Sequence, residues 1–221
     1  MERKRKPWIR YTLRSLLIAI TIFGIWLAFR VNRAHNQRRA VAAVRQSGGF
    51  VQYDHQHAES YWAMPAAQRP GFRKLHSHIP SRLVMKLRDL IRPHLGTDLV
   101  DSVVTVGFRG GDLPPSLNNP QPTRRLTEEE WGYLQRLPSL EEIHISGRVI
   151  TDEDMPFLSQ IPNLRIIIGI ANNSITDAGV NHLKQTESLE IIHLLNAFRV
   201  SEEASDELRK LPNIRSVILS R

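Results

Sequence analysis

The chain contains no cysteine, which excludes a disulfide framework, a thiolate metal site and a thiol nucleophile. It also lacks the short patterns that carry hydrolytic, phosphoryl or dinucleotide chemistry: G-x-S-x-G, H-E-x-x-H, Walker and G-x-G-x-x-G sequences do not occur. No low-complexity tract interrupts it, so the chain is not disordered as a whole. Negative charge is nearly missing from the first 45 residues, where Glu2 stands alone against eleven Lys and Arg. The expectation is a protein without intrinsic catalysis, with no catalytic residue, no cofactor and no bound metal.

What is present starts with that charge. The 221 residues carry a formal charge of +8, and such a balance invites a nucleic-acid reading. Beyond Arg45, however, nineteen basic residues face twenty-one acidic ones. The body is mildly acidic and the basic charge flanks an apolar run. Lys and Arg favour headgroups and the aqueous side of a bilayer, so the pattern points to a membrane and not to nucleic acid.

The run itself, Ser15 to Phe29, holds fifteen uncharged residues. As a helix it covers about 22 Å, short of the roughly 30 Å hydrocarbon core. Tyr11, Thr12 and Leu13 extend it, Arg14 and Arg30 can snorkel, and Trp8, Tyr11 and Trp26 suit the interface. Residues 11–30 are therefore expected to cross the membrane. A cleaved signal peptide shares these features, but Trp26-Leu-Ala-Phe-Arg30 offers no small-x-small site, which favours an uncleaved anchor. The bias of first helices toward a cytoplasmic N-terminus puts the C-terminal body on the exported side.

Three segments follow from composition: residues 1–35 as basic N-terminus and transmembrane anchor, 36–99 as a juxtamembrane region, and 100–221 as the main domain. In the middle segment Asn36 to Gln46 is a good helix former that Ser47-Gly48-Gly49 ends. Phe50 to Tyr53 alternates like a strand, Asp54 to His78 reads as a loop, and Pro80-Ser81 opens a helix with Leu83, Val84, Leu87, Leu90 and Ile91 at helical spacing before Pro93 and Gly96. His55/His57 and His76/His78 are H-x-H pairs, but no carboxylate or cysteine pattern completes a metal site around either.

A fixed period governs the remainder. Leu140, Leu164, Leu189 and Ile214 are 24, 25 and 25 residues apart, and the same steps separate Leu126, Ile150, Ile175 and Val200, and Leu134, Leu158, Leu183 and Leu208. Each unit predicts a short strand, such as Leu140-x-x-Ile143-x-Ile145, and a helix capped by Thr127, Thr151, Thr176 or Ser201. The acids after these caps complement the helix dipole. Thr127-x-x-Glu130 has capping-box spacing, and Pro138, Pro162 and Pro212 stop the helices. The first strand is expected at Val103 to Val106, followed by an insertion over 107–125.

These residues resemble the ribonuclease-inhibitor-like leucine-rich repeats, above all the bacterial form with an I-T-D-x-G-L-x-x-L core, which Ile175-Thr-Asp-Ala-Gly-Val-Asn-His-Leu183 nearly reproduces. The N-terminal apolar segment and Arg38 to Gly49 are similar to membrane-anchored members of that kind. The resemblance implies an α/β fold: a short leucine-rich-repeat solenoid of parallel strands and helices, about four repeats, preceded by a single transmembrane helix. Two departures stand out. The family's Asn column is incomplete, with Asn172 or Asn173 and Asn196 available but Arg148 in the preceding unit. An extra residue around Ile166 to Ile170 leaves that strand's register open.

On the exposed sheet face the repeat predicts three columns. Glu141, Arg165, Glu190 and Arg215 alternate in sign, as a charge ladder. Beside them run Glu142, Ile166, Ile191 and Ser216, then His144, Ile168, His193 and Ile218. Isoleucines on an open sheet need cover, so His144, Ile166, Ile168, Ile191, His193, Ser216 and Ile218 form the expected partner-binding face of a membrane-tethered interaction module. The partner would be a protein or an envelope polymer. The alternatives are a self-assembling envelope protein pairing through its C-terminal strand as a homo-oligomer and, less favoured, a hydrolytic enzyme.

Overall fold

The structure, a computed structural model, describes residues 13–56, 82–108, 124–146, 150–170, 174–195 and 197–220. Its first element is one unbroken helix, α1, Leu13–Gln46, about 51 Å long at 1.5 Å per residue. The helix expected at 36–46 is the end of this element and not a separate one. From Leu13 to Phe29 the apolar side chains are exposed. Past Arg30 a buried stripe begins, made of Ala34, Gln37, Ala40, Val41 and Val44, at the three- and four-residue spacing of one helix face. The first half fits a single-pass membrane helix or signal anchor; the second half belongs to the core of the body.

Glycine stops α1 as the sequence predicts. Gly48 takes φ 78°, its N–H donates to the Arg45 carbonyl, and the Gly49 N–H donates to Val44 at 2.8 Å, which satisfies the last carbonyls in a Schellman motif. Gly49 is also a close-approach site, because a Cβ there would lie 2.5 Å from the Gly107 carbonyl. The reversed chain then forms β1, Phe50–Tyr53, antiparallel to β2, Val103–Phe108. Strand β2 runs two residues past its expected end. Residues 109–123 of the expected insertion lie outside the described residues, as do Arg148, Asn172, Asn173, Asn196, His57, His76 and His78.

Before β2 come α2, Arg82–Leu95, and the short α3, Thr97–Val100. Helix α2 continues two residues beyond Pro93, where the sequence suggests its end. The Gly96 N–H bonds the Arg92 carbonyl at 2.8 Å and closes the final turn, and Gly96 at φ 81° ends it.

From Glu128 onward helix and strand alternate: α4 Glu128–Gln135, β3 Glu142–Ser146, α5 Met155–Ser159, β4 Ile166–Ile170, α6 Asp177–Leu183, β5 Ile191–Leu195, α7 Glu202–Arg209 and β6 Ser216–Ser220. The six strands lie side by side in chain order, and every pair from β2 to β6 is parallel. The architecture is therefore α/β, with a mostly parallel sheet and a long apolar N-terminal helix. The three sequence columns become three buried rows: Leu126, Ile150, Ile175 and Val200; Leu134, Leu158, Leu183 and Leu208; Leu140, Leu164 and Leu189. Inward strand residues Ile143, Ile167 and Ile192 complete this core. Trp131 stacks on Phe157 at 6.1 Å and donates its indole N–H to Asp154.

Strand β4 pairs in unbroken register, Glu142 with Ile166 and Ile166 with Ile191. The extra residue thus falls after β4 and leaves its pairing intact. The helix starts need two corrections. Thr127 forms the full capping box with Glu130, and Thr176 and Ser201 accept from Ala178 and Ala204. Thr151, however, caps nothing. Pro156 near the start of α5 delays the helix to Met155, and Asp154 folds back to accept from the Thr151 N–H and hydroxyl.

The second correction concerns the acids. Asp152 reaches the following unit and accepts from the Thr176 N–H at 2.8 Å and its hydroxyl at 2.6 Å. Asp177 likewise accepts from the Ser201 N–H at 2.6 Å. These carboxylates staple one unit to the next, a task beyond a dipole complement. Gly179 makes the first staple possible, since a Cβ there would stand 2.2 Å from Asp152 Oδ1.

Candidate functional site

The sheet turns one face to the helices and the other outward, and the outward face carries two of the three columns read from the sequence; the charge column is not exposed as expected, since Glu141 is 1% exposed. In register, Gln52, Thr105, Glu142, Ile166, Ile191 and Ser216 form one row, and Phe50, Gly107, His144, Ile168, His193 and Ile218 the next. Alternation along each strand puts both rows on one side.

At the N-terminal end of the strands the charge ladder is continuous. Arg165 meets Glu141 at 3.2 Å and Glu190 at 2.6 Å, and Arg215 meets Glu190 at 3.2 Å. The ladder therefore ties β3 to β6 and leaves its inner charges paired. Hydrogen bonds to Glu190, with the nearby charge of Glu141, raise the Arg165 pKa against the opposing effect of burial.

Beyond the ladder, the outer rows are less uniform than the sequence suggests. Glu142 is buried and accepts from the Thr105 hydroxyl at 3.2 Å, with His144 Nε2 at 2.7 Å from its other oxygen. His193 Nε2 lies 2.9 Å from Ser216 Oγ. The two histidines are separated by Ile168 and each has its own partner. Ile168, Ile191, His193 and Ser216 are half-buried and Ile218 is 44% exposed. Ile166 departs from the expected set. At 2% exposure it offers no surface to a partner, although Ile168 on the same strand and Ile191 beside it stay half-buried.

Sequence reasoning missed one member of this face. Phe50 on β1 reaches across Gly107 to stand edge-on to His144, ring centroids 6.1 Å apart. The available signal was the pairing of a strand-like Phe50 with a glycine in the first parallel strand.

A second polar centre lies where β1 ends and β2 begins. Asp54 and Asp101 are buried. Arg88 on α2 meets Asp54 at 2.5 Å and Arg92 meets Asp101 at 2.6 Å. His55 Nδ1 stands 3.3 Å from Asp101. Burial alone would raise the Asp101 pKa, but the His55 ring and the Arg92 guanidinium outweigh it and hold the carboxyl below its ordinary value. Burial and the neighbouring Asp98 push the Tyr53 hydroxyl up to about 12. The oxygens of Asp54 and Asp101 and the His55 ring nitrogen are close enough together to hold a cation. The chemistry of the donors argues otherwise, since two guanidiniums already neutralise both carboxylates and would repel a metal ion.

From α1, Arg33 donates to Ser102 at 2.8 Å and Ser139 at 2.9 Å, and the Gln37 amide donates to the Asp101 carbonyl while accepting from the Val103 N–H. This centre clamps α1, α2 and the sheet into one piece. No protein-family model, curated protein or solved structure matches the chain.

Proposed function

We propose that this protein is a membrane-tethered interaction module: a short leucine-rich-repeat solenoid of the ribonuclease-inhibitor-like kind, held by α1 and binding a protein or envelope polymer through the outer sheet face. The observation that carries the reading is the adjoining set of half-exposed side chains at Ile168, Ile191, His193 and Ile218, drawn from two neighbouring rows of the outer sheet face. Such a surface supplies apolar contact and, at His193, one imidazole for orientation, the composition of a recognition patch. The staples from Asp152 and Asp177 support the repeat reading, because each unit lends its acid to the next.

Catalysis is not part of the proposal. His193 and Ser216 are in hydrogen-bond contact, but among the described residues no carboxylate is paired with His193 to orient its ring as a base. The reading further includes a cytoplasmic N-terminus and an exported body, on the first-helix charge bias. Protease accessibility in intact cells and spheroplasts tests the orientation.

Binding is tested by recovery from detergent extract of the full chain and of a variant with Ile168, Ile191 and Ile218 changed to Thr. A reproducible partner lost in the variant supports the face; unchanged recovery removes it. A self-assembling reading has one observation in its favour, the outer edge of β6, which pairs with no other strand among the described residues. Concentration-dependent dimers, lost when β6 is interrupted by proline, would favour it.

A further inference from the structure

Helix α2 is amphipathic and seated the reverse way round from a core-facing helix. Its polar residues Arg88 and Arg92 turn inward to Asp54 and Asp101. Leu83, Leu87 and Leu90, which fall on one face at a spacing of four and three, are 79%, 60% and 69% exposed. Val84 and Leu95 widen the exposed apolar surface.

Where that face looks follows from the anchoring contacts. Asp54 follows β1 and Asp101 precedes β2, so both stand at one end of the sheet. The same end receives α1 from its apolar stretch: Arg30 donates to the Leu99 carbonyl at 3.1 Å and Arg33 to Ser102 at 2.8 Å. From there α1 runs alongside β2, since Gln37 bonds at the start of the strand and Gly49 closes on Gly107 near its end. With its polar face on this end of the sheet, α2 turns its leucines toward the side from which the apolar helix arrives.

We propose that α2 lies in the headgroup layer of the bilayer beside the exit of α1, with Leu83, Leu87 and Leu90 in lipid; this rests on the membrane-anchored reading of α1. The depth is consistent. From Phe29, the last residue of the uncharged run, to Arg33 is about 6 Å along the helix, and a helix with side chains is roughly 10 Å across. An element docked at the level of Arg33 therefore occupies the zone where amphipathic helices settle, their apolar face about 5 to 10 Å into the boundary. The Arg30 guanidinium, 6.0 Å over the Trp26 ring, marks that boundary on α1, and exposed Lys86 on α2 suits anionic headgroups. Continuity with the span selects lipid as the occupant.

The absence of cysteine makes a direct test possible. Single cysteines replacing Leu87, Leu90, Ile20 or Phe198 in the full chain carry an environment-sensitive nitrobenzoxadiazole label. The protein is reconstituted in vesicles of phosphatidylcholine and phosphatidylglycerol at about four to one, with spin-labelled lipids as quenchers. The expected result is quenching at Leu87 and Leu90 by nitroxides near the headgroups, at Ile20 by nitroxides deep in the chains, and none at Phe198. If Ile20 is quenched while Leu87 and Leu90 answer only to an aqueous quencher, the α2 proposal falls and the anchor stands. Protection of Leu87 and Leu90 from both quenchers means a protein cover, from residues 57–81 or a second copy, and also overturns it. An unquenched Ile20 removes the anchor and the proposal together.

Discussion

The Phe50 ring occupies the space that a side chain at position 107 would fill. A Cβ on Gly107 would stand 2.0 Å from the ring, and through that gap Phe50 reaches His144 one strand further on. One absent side chain on β2 thus lets β1 contact β3, and joins the antiparallel edge to the outer row of the parallel sheet.

Gly107→Ala should therefore expel the Phe50 ring. We expect a loss of about 1 to 3 kcal/mol, the usual cost of forcing an atom into a filled site, read by urea denaturation. The His144 ring protons should lose their aromatic shift in the NMR spectrum. Retention of both stability and shift would contradict the contact.

Gly179→Ala tests the staple between units. Its methyl would meet Asp152 Oδ1 and push the carboxylate off Thr176. The Thr176 N–H is only part-buried, so leaving it without its acceptor should cost about 1 kcal/mol, the low end for an unsatisfied donor. Asp152→Ala should cost a similar amount, and the double variant should lose less than the sum, because both act on one hydrogen-bond pair. Strict additivity would refute the link.

In the ladder, Glu190 should matter more than Arg215. Glu190 serves two arginines and is largely covered, whereas the Arg215 side chain is mostly exposed. Glu190→Gln leaves Arg165 without its shortest ion pair and should cost about 1 to 2 kcal/mol, between the values for exposed and buried pairs. Arg215→Gln should cost under about 1 kcal/mol. Thermal unfolding in low and high salt ranks them.

Asp101 gives the body an acid limb. Its folded pKa is depressed, so the native state holds its charged form more tightly than the unfolded chain does. That stability is complete above the unfolded value of about 3.9 and is lost as pH falls through the folded value. Denaturation curves between pH 5 and about 2 should show the loss, and Asp101→Asn should flatten it while lowering stability at neutral pH by about 3 kcal/mol. Tyr53 acts oppositely. With its hydroxyl pushed up to about 12, its contribution is present below the ordinary value of about 10 and disappears as pH rises through 12.

How far the sequence discloses this molecule depends on the kind of information. The repeat period was legible because a step of 24 or 25 residues repeats the same packing problem, so Leu134, Leu158, Leu183 and Leu208 declare themselves together, whereas the register of β4 is left open by the extra residue and is given by its pairing. The late start of α5 was readable in principle from Pro156, but Thr151 offered the more familiar cap. The roles of Asp152 and Asp177 were not legible, because carboxylates one residue past a cap look the same whether they serve their own helix or the next unit. Ile166 alternates like Ile168 on the same strand, and periodicity cannot tell which of two outward positions is covered. The face of α2 was visible as a spacing of leucines, but its inward and outward sides are decided by Asp54 and Asp101, far away along the chain. The charges at Arg30 and Arg33 hid the continuity of α1, since basic residues after an apolar run suggest an end.

That continuity has a mechanical consequence. If α1 is the membrane anchor proposed above, a helix that begins in lipid and finishes in the core has no swivel between them, and the body would follow whatever the anchor does. Strand β6 is five strand spacings from β1, about 24 Å to the side. A change of about 20° in anchor tilt, well within the usual range of membrane helices, would move that far edge by roughly 8 Å if the sheet swings as a rigid arm. Bilayer thickness would then set the height at which the outer strands meet whatever lies beyond the membrane, and α2 resting on the headgroups would act as the stop that limits the swing.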